Sequence, residues 1–129
     1  MSDRLDRSAP IAVIGAGAVV DEAVGLLQAA GLAVYLIDDA PGLIVTRTVA
    51  MLVNGAADAR HRGVASAADI DIAMRLGTNY PLGPLAWGQR WGPAEVLAML
   101  DAMHAWYGDD HYRASGWLRR IAVGGGSLL

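Results

Sequence analysis

Apolar residues follow two different spacings along this chain. Up to Asp39 they come in short unbroken runs, Ile11–Ile14 and Leu32–Ile37, rich in β-branched side chains and bounded by glycine. Runs of that kind read as strands. Between them Val24, Leu27 and Gln28 fall at helical spacing, and Gly31 stands where a helix end takes a left-handed residue. The pattern predicts a small βαβ unit over residues 11–40. Pro41-Gly42 breaks it, and from Leu43 onward the spacing is helical. Leu43, Arg47, Ala50, Met51, Asn54, Asp58 and His61 mark successive turns of one helix of roughly twenty residues, beyond the usual mean of about 11–12. Arg60, His61 and Arg62 suit its C-terminal end, and Gly63 stops it.

The next helix starts at a variant capping box, Ser66–Asp69, in which the serine accepts from the backbone and the aspartate reaches back. Ile70, Ala73, Met74 and Leu76 carry its apolar stripe to Gly77. "GTNYPLGPLAWG" then reads as a tight, rigid loop, with φ fixed at Pro81 and Pro84 and Gly83 free to take an unusual dihedral. A third helix is predicted over Pro93–Tyr107, with Pro93 at its first position and Val96, Leu97, Leu100 and Met103 on its apolar side. "GDDHYRASG" is a turn and Trp117–Val123 a short last helix. Residues 1–10 and 124–129 read as a disordered and a loose tail. The fold class is therefore mainly α: a βαβ unit followed by an all-α domain over 41–123.

Composition narrows the functional classes. With 129 residues, 54% hydrophobic and 18% charged, the chain can bury a core and does not match disordered composition. The net charge is −3 and all 10 basic residues are arginine, so no basic face is expected for nucleic acid. The absence of cysteine excludes disulfides and thiolate metal sites. "MSDRLDRSAP" has no apolar signal-like region, and no apolar run is long enough to span a membrane, so a cytoplasmic protein is expected.

Two stretches could carry chemistry. "GAGAVV", residues 15–20, sits in a strand-to-helix turn like a dinucleotide-binding fingerprint. Gly15 would make the turn, Gly17 would admit a pyrophosphate, and Asp38 stands where a ribose-binding carboxylate is usual. The third small position is Val20, and Asp21 and Glu22 would repel phosphate at the helix start. The stretch is either a nucleotide half-site or a vestige that keeps the architecture without the ligand. Of the histidines, His61 lies at a basic helix end, His104 on an apolar helix side and His111 in a turn, and no glutamate in sequence orients any of them as a general base. Asp109, Asp110 and His111 read as a solvated turn, with no metal expected.

"PGLIVTR" (41–47), "GVASAADIDIAMRLG" (63–77) and "NYPLGPL" (79–85) together resemble the C-terminal helical domain of 3-hydroxyacyl-CoA dehydrogenases, a fold shared with 6-phosphogluconate dehydrogenases. The resemblance runs from about residue 39 to 121. The stretch before it resembles the linker of a subgroup with two such domains in tandem, in which a nucleotide-binding remnant precedes the second copy. The resemblance implies oxidation of an acyl-CoA 3-hydroxyl, with NAD taking the hydride and a His–Glu pair on a separate nucleotide-binding domain acting as base. It implies that the present chain supplies one wall of the acyl-CoA site and a dimer surface, with no cofactor bound by this chain alone. Substrate contacts would fall at Thr46, where the family has Asn, and at Arg47 and Asn79. The dimer interface would include Gly55 and Ala59, within a flat strip with Ala56 and Ala57, and meet a second copy or a sister C-terminal domain. On the residues alone, Arg47 is expected in a structural ion pair with Asp69 or Asp71, and the Asn79 loop in a shaping role. The chain departs from the family at Gly55, usually Glu, in lacking both prolines around Tyr112–Gly116, and in lacking the terminal glycine-rich motif. The alternative to an enzyme part is an assembly domain with no activity of its own.

Overall fold

The computed structural model describes residues 10–15 and 17–129, and the predicted disorder of 1–10 lies almost wholly outside them. The chain divides into two compact units, up to Leu43 and from Ile44 to Leu129.

The first unit holds β1 (Ile11–Ile14), α1 (Ala18–Ala29) and β2 (Val34–Ile37). The strands pair in parallel, with Ile11 opposite Val34 and Ile14 opposite Ile37. Parallel neighbours need a crossover, which α1 provides. β2 begins two residues later than the sequence suggests, because the α1 end consumes them: Gly31 takes φ 78° and the Leu32 amide donates to the Leu27 carbonyl at 3.1 Å. None of the described residues of this unit is buried. Val19, Leu26 and Tyr35 are 81%, 67% and 64% exposed. Two strands and one helix offer too little surface to close a core.

The second unit is all helical: α2 (Val45–His61), α3 (Ala67–Thr78), α4 (Pro84–Trp91), α5 (Pro93–Tyr107), a 3-10 turn (Asp110–Tyr112) and α6 (Gly116–Gly124). The central helix α2 packs against the four other α-helices. Its buried face, Ala50, Val53, Ala56 and Ala57, meets Leu85 of α4, Leu100 and Met103 of α5, and Leu118 of α6. Small residues on α2 let the larger side chains of its neighbours come close. Arg119 on α6 and Asp101 on α5 add a two-pronged ion pair at 2.6 and 3.1 Å on the surface. That hydrogen bond raises the Arg119 pKa above its ordinary value.

Three expectations need correction. The long helix starts at Val45, since Leu43 has φ 44°, in the left-handed region that a right-handed helix cannot use. The stretch 84–91, predicted as loop, is the helix α4. Pro84 sits at its first position, and its start is held by Asp71 on α3, whose carboxylate accepts from the Leu85 and Ala86 amides at 2.8 and 2.9 Å. The tail 124–129 is docked: Leu128 is fully buried, and its amide and the Ser127 hydroxyl both donate to Gln89 Oε1, at 2.7 and 3.1 Å. The Ser66 cap forms as expected, accepting from the Asp69 amide at 3.1 Å. The return leg differs: the Ser66 hydroxyl donates to Asp69 Oδ2 at 2.6 Å.

Candidate functional site

Asn54 is the polar residue on the buried face of α2, and its amide builds one wall of a groove. Nδ2 donates to the Arg113 carbonyl at 3.0 Å, and Oδ1 accepts from the Ser115 amide at 2.7 Å. An extended segment is thereby clamped along the helix. Ser115 in turn accepts from the Leu118 amide at 3.2 Å and caps α6. Between α2 and this segment lies a groove of about 840 Å³. Met51, Leu52 and Ala114 give it apolar surface, and Gly55 lies open on its floor.

The groove carries both signs of charge. Arg62 is paired with Asp58 at 2.6 Å, and Asp110 faces His104 Nε2 at 3.6 Å. Arg47 lines one end, where its guanidinium lies over the Tyr107 ring at 4.8 Å and near the Tyr112 ring at 5.7 Å and donates to the Tyr107 hydroxyl. Neither Asp69 nor Asp71 is among these contacts, which corrects the two expected partners. Asp71 is committed to α4 and Asp69 to Ser66. Arg113 and His111 complete the lining.

The structure does not gather the candidate substrate residues. Thr46 is half-buried beside Arg47 but does not line the groove. Asn79 is exposed and ends α3 in the left-handed conformation, φ 56°. The small-residue strip also separates. Ala56 and Ala57 are buried in this unit's own core, Ala59 packs half-buried against it, and Gly55 opens into the groove. Arg113 and Ser115 escaped the sequence reading because no local periodicity ties residue 54 to a segment about sixty positions later. The only signal was one Asn on an otherwise apolar helix face.

The glycine turn fits NAD poorly. Gly15 and Gly17 have φ 121° and 101°, as such a turn requires, and a Cβ at Gly17 would meet nothing within 4 Å. At Gly15, however, a Cβ would lie 3.3 Å from Val20 Cγ2, so the valine covers the turn. Asp21 stands in the first turn of α1, and Asp38 follows β2 exposed. A negative helix start and a two-stranded sheet do not make a pyrophosphate cradle. Among the described residues no cluster of three metal-ligating side chains occurs, and no helix is long and apolar enough to cross a membrane.

Residues 42–125 match the family model described as 3-hydroxyacyl-CoA dehydrogenase, C-terminal domain. The chain is similar to a 3-hydroxyadipyl-CoA dehydrogenase of Escherichia coli K12, 45% identical over 112 residues, covering 87% of this chain and 24% of the relative. It is also similar to a 3-hydroxybutyryl-CoA dehydrogenase of Clostridioides difficile, 38% identical over 66% of this chain and 30% of the relative. Among solved structures, a 3-hydroxybutyryl-CoA dehydrogenase from E. coli K12 superposes with TM-score 0.73 at 42% identity, over 87% of this chain and 25% of that one. An (S)-3-hydroxybutyryl-CoA dehydrogenase from Ralstonia eutropha does so with TM-score 0.78 at 28% identity, over 91% and 43%. The chain thus spans about a quarter of the length of the E. coli relatives.

Proposed function

Because this chain belongs to the 3-hydroxyacyl-CoA dehydrogenase family, as its C-terminal domain, we propose that it serves as the substrate-wall and dimerisation part of an NAD-dependent enzyme that oxidises 3-hydroxyacyl-CoA to 3-oxoacyl-CoA. The observation that carries this reading is the match of residues 42–125 to the family's C-terminal domain. In the complete enzyme NAD accepts the hydride, held by a full nucleotide-binding domain. The turn at Gly15–Val20 does not take that role. This chain's own histidines are not arranged as a base: His104 stands 3.6 Å from Asp110, with both side chains well exposed. General acid–base help of about 10²–10⁴ requires a side chain positioned within hydrogen-bond reach of the reacting proton. The chain's contribution is to shape the acyl-CoA site near Thr46 and Arg47 at the start of α2, and to pair with a second copy or a sister domain.

Pairing as the sole role, without any part in catalysis, is the second reading. It is favoured by the apolar residues left outside the core, with Ile72 and Leu76 of α3 at 52% and 82% exposed and Trp106 of α5 at 70%. One experiment separates the two. This chain replaces the matching segment of the E. coli 3-hydroxyadipyl-CoA dehydrogenase, and NADH formation from a 3-hydroxyacyl-CoA is followed. The expected result is an active chimera beside an inactive isolated chain. A folded chimera without activity, or turnover by the isolated chain, rejects the substrate-wall role.

A further inference from the structure

We propose that Asn54-Gly55 is a self-modification site: once α2 opens, the backbone nitrogen of Gly55 converts Asn54 to aspartate or isoaspartate, and the fold holds this reaction in check. The inference does not rest on the dehydrogenase reading. In the reaction the Gly55 nitrogen attacks Asn54 Cγ and closes a cyclic imide, and its proton leaves with Nδ2 as ammonia. Water then adds to one of the two imide carbonyls and breaks its C–N bond. Opening at Cγ gives aspartate, and opening at the backbone carbonyl gives isoaspartate. Nothing is oxidised or reduced, and water is the co-reactant. The sequence favours the reaction at this place. Glycine has no Cβ to shield its nitrogen. The chain has two asparagines, and only Asn54 is followed by glycine, since Asn79 precedes Tyr80.

The folded chain blocks each requirement. Residues 54 and 55 lie inside α2, where helical ψ keeps the Gly55 nitrogen away from Asn54 Cγ and its N–H belongs to the carbonyl four residues back. The Asn54 amide is held at both ends, Nδ2 on the Arg113 carbonyl at 3.0 Å and Oδ1 by the Ser115 amide at 2.7 Å, so it does not turn toward the backbone. The residue is 8% exposed, which keeps water from the carbonyl. Gly55 itself is exposed with open space at its Cβ position, so loss of the helix and of the clamp is all that the reaction requires. A residue packed in the core opens only with the core. The folded chain therefore reacts more slowly by the folding equilibrium, about 10³-fold or more. The product does not close as before. A carboxylate at position 54 has no proton to give the Arg113 carbonyl, and isoaspartate inserts a methylene into the backbone of α2. A transient opening of α2 thereby becomes a permanent one.

The test is peptide mapping by mass spectrometry after incubation of the full chain in mildly alkaline buffer, folded and in guanidinium chloride above its unfolding midpoint. In denaturant, Asn54 is expected to convert with release of ammonia while Asn79 stays largely intact. In the folded chain conversion at Asn54 should fall about 10³-fold or more. Gly55→Ala should fold, because a Cβ there meets nothing within 4 Å and alanine favours a helix, and it should slow conversion in denaturant. On dilution, the aged parent chain should recover less helical circular dichroism than a freshly unfolded one, and the aged Gly55→Ala chain should recover fully. Conversion at Asn54 that is as fast folded as unfolded overturns the proposal. So does conversion in denaturant no faster than at Asn79 or unaffected by Gly55→Ala, or full recovery of a converted parent chain.

Discussion

At the scale of single residues, Asp71 does most to join parts of the helical unit that sequence separates. Its buried carboxylate accepts from two amides at the start of α4, fourteen and fifteen residues away. Gly83 makes room for it, since a Cβ there would fall 2.1 Å from Asp71 Cγ. Asp71→Ala is expected to lower stability by about 1–3 kcal/mol, by leaving buried donors without a partner. A urea midpoint unchanged from the parent would contradict this. Gly83→Ala should also destabilise, but by less in the Asp71→Ala background, because the clashes with Asp71 Cγ and Oδ2 are then gone and only the one with Cβ, at 2.4 Å, remains. A double-mutant cycle reads that coupling, and strict additivity would show that the two residues do not act together. Ser66→Ala should cost about 0.5–2 kcal/mol through its cap. Ser66 was readable locally because a cap lies within one turn of what it caps. Asp71 was not, since its partners lie on another helix.

Among the elements, the contact of α2 with α4 and the C-terminal segment is the tightest. A Cβ at Gly88 would lie 2.5 Å from Val53 Cγ1 and 2.8 Å from Leu128 Cδ1, so this helix crossing has space for glycine only. Leu128 fills the remaining gap, and Gln89 holds its amide. Leu128→Ala is expected to cost about 2–5 kcal/mol, as for a buried leucine. Leu129→Ala, 64% exposed next door, should stay within about 0.5 kcal/mol of the parent. Chemical denaturation of the two variants checks the contrast, and equal midpoints would mean that the segment is not docked in solution. "GGGSLL" read as a tail because three glycines and a serine carry no periodicity. Its anchor is a single leucine whose socket is made elsewhere.

For the whole molecule, the two units differ in how much they bury. The helical unit has a closed core, while the βαβ unit leaves Val19, Leu26 and Tyr35 largely in solvent. NAD is therefore expected to bind the chain weakly or not at all. Calorimetry showing micromolar affinity would refute this and restore the glycine turn as a working site. Self-association is expected through apolar positions that the core does not use, such as Trp106, rather than through Ala56 and Ala57, which are already buried. Sedimentation equilibrium at tens of micromolar should show a dimer, most simply with two-fold symmetry. A monomer there rejects the expectation, and Trp106→Glu should dissociate a dimer that uses this face.

The sequence by itself determined the local parts of this protein: the change from strand-like to helical spacing at Pro41-Gly42, the bounds of α5, the Ser66 cap, and the three motifs that carry the family resemblance. Each of these is written within a few residues, where periodicity, capping and backbone sterics act. The tertiary structure decided what depends on residues meeting across the chain. It made α4 a helix through a carboxylate on α3, turned Arg47 toward Tyr107 and Tyr112, and sent Ala56 and Ala57 inward. It also opened a groove by closing Asn54 on residues 113–115. The physical reason is that a side chain's hydrogen bond or burial is satisfied by whatever stands next to it in space, and neighbours that far apart in sequence leave no periodic trace.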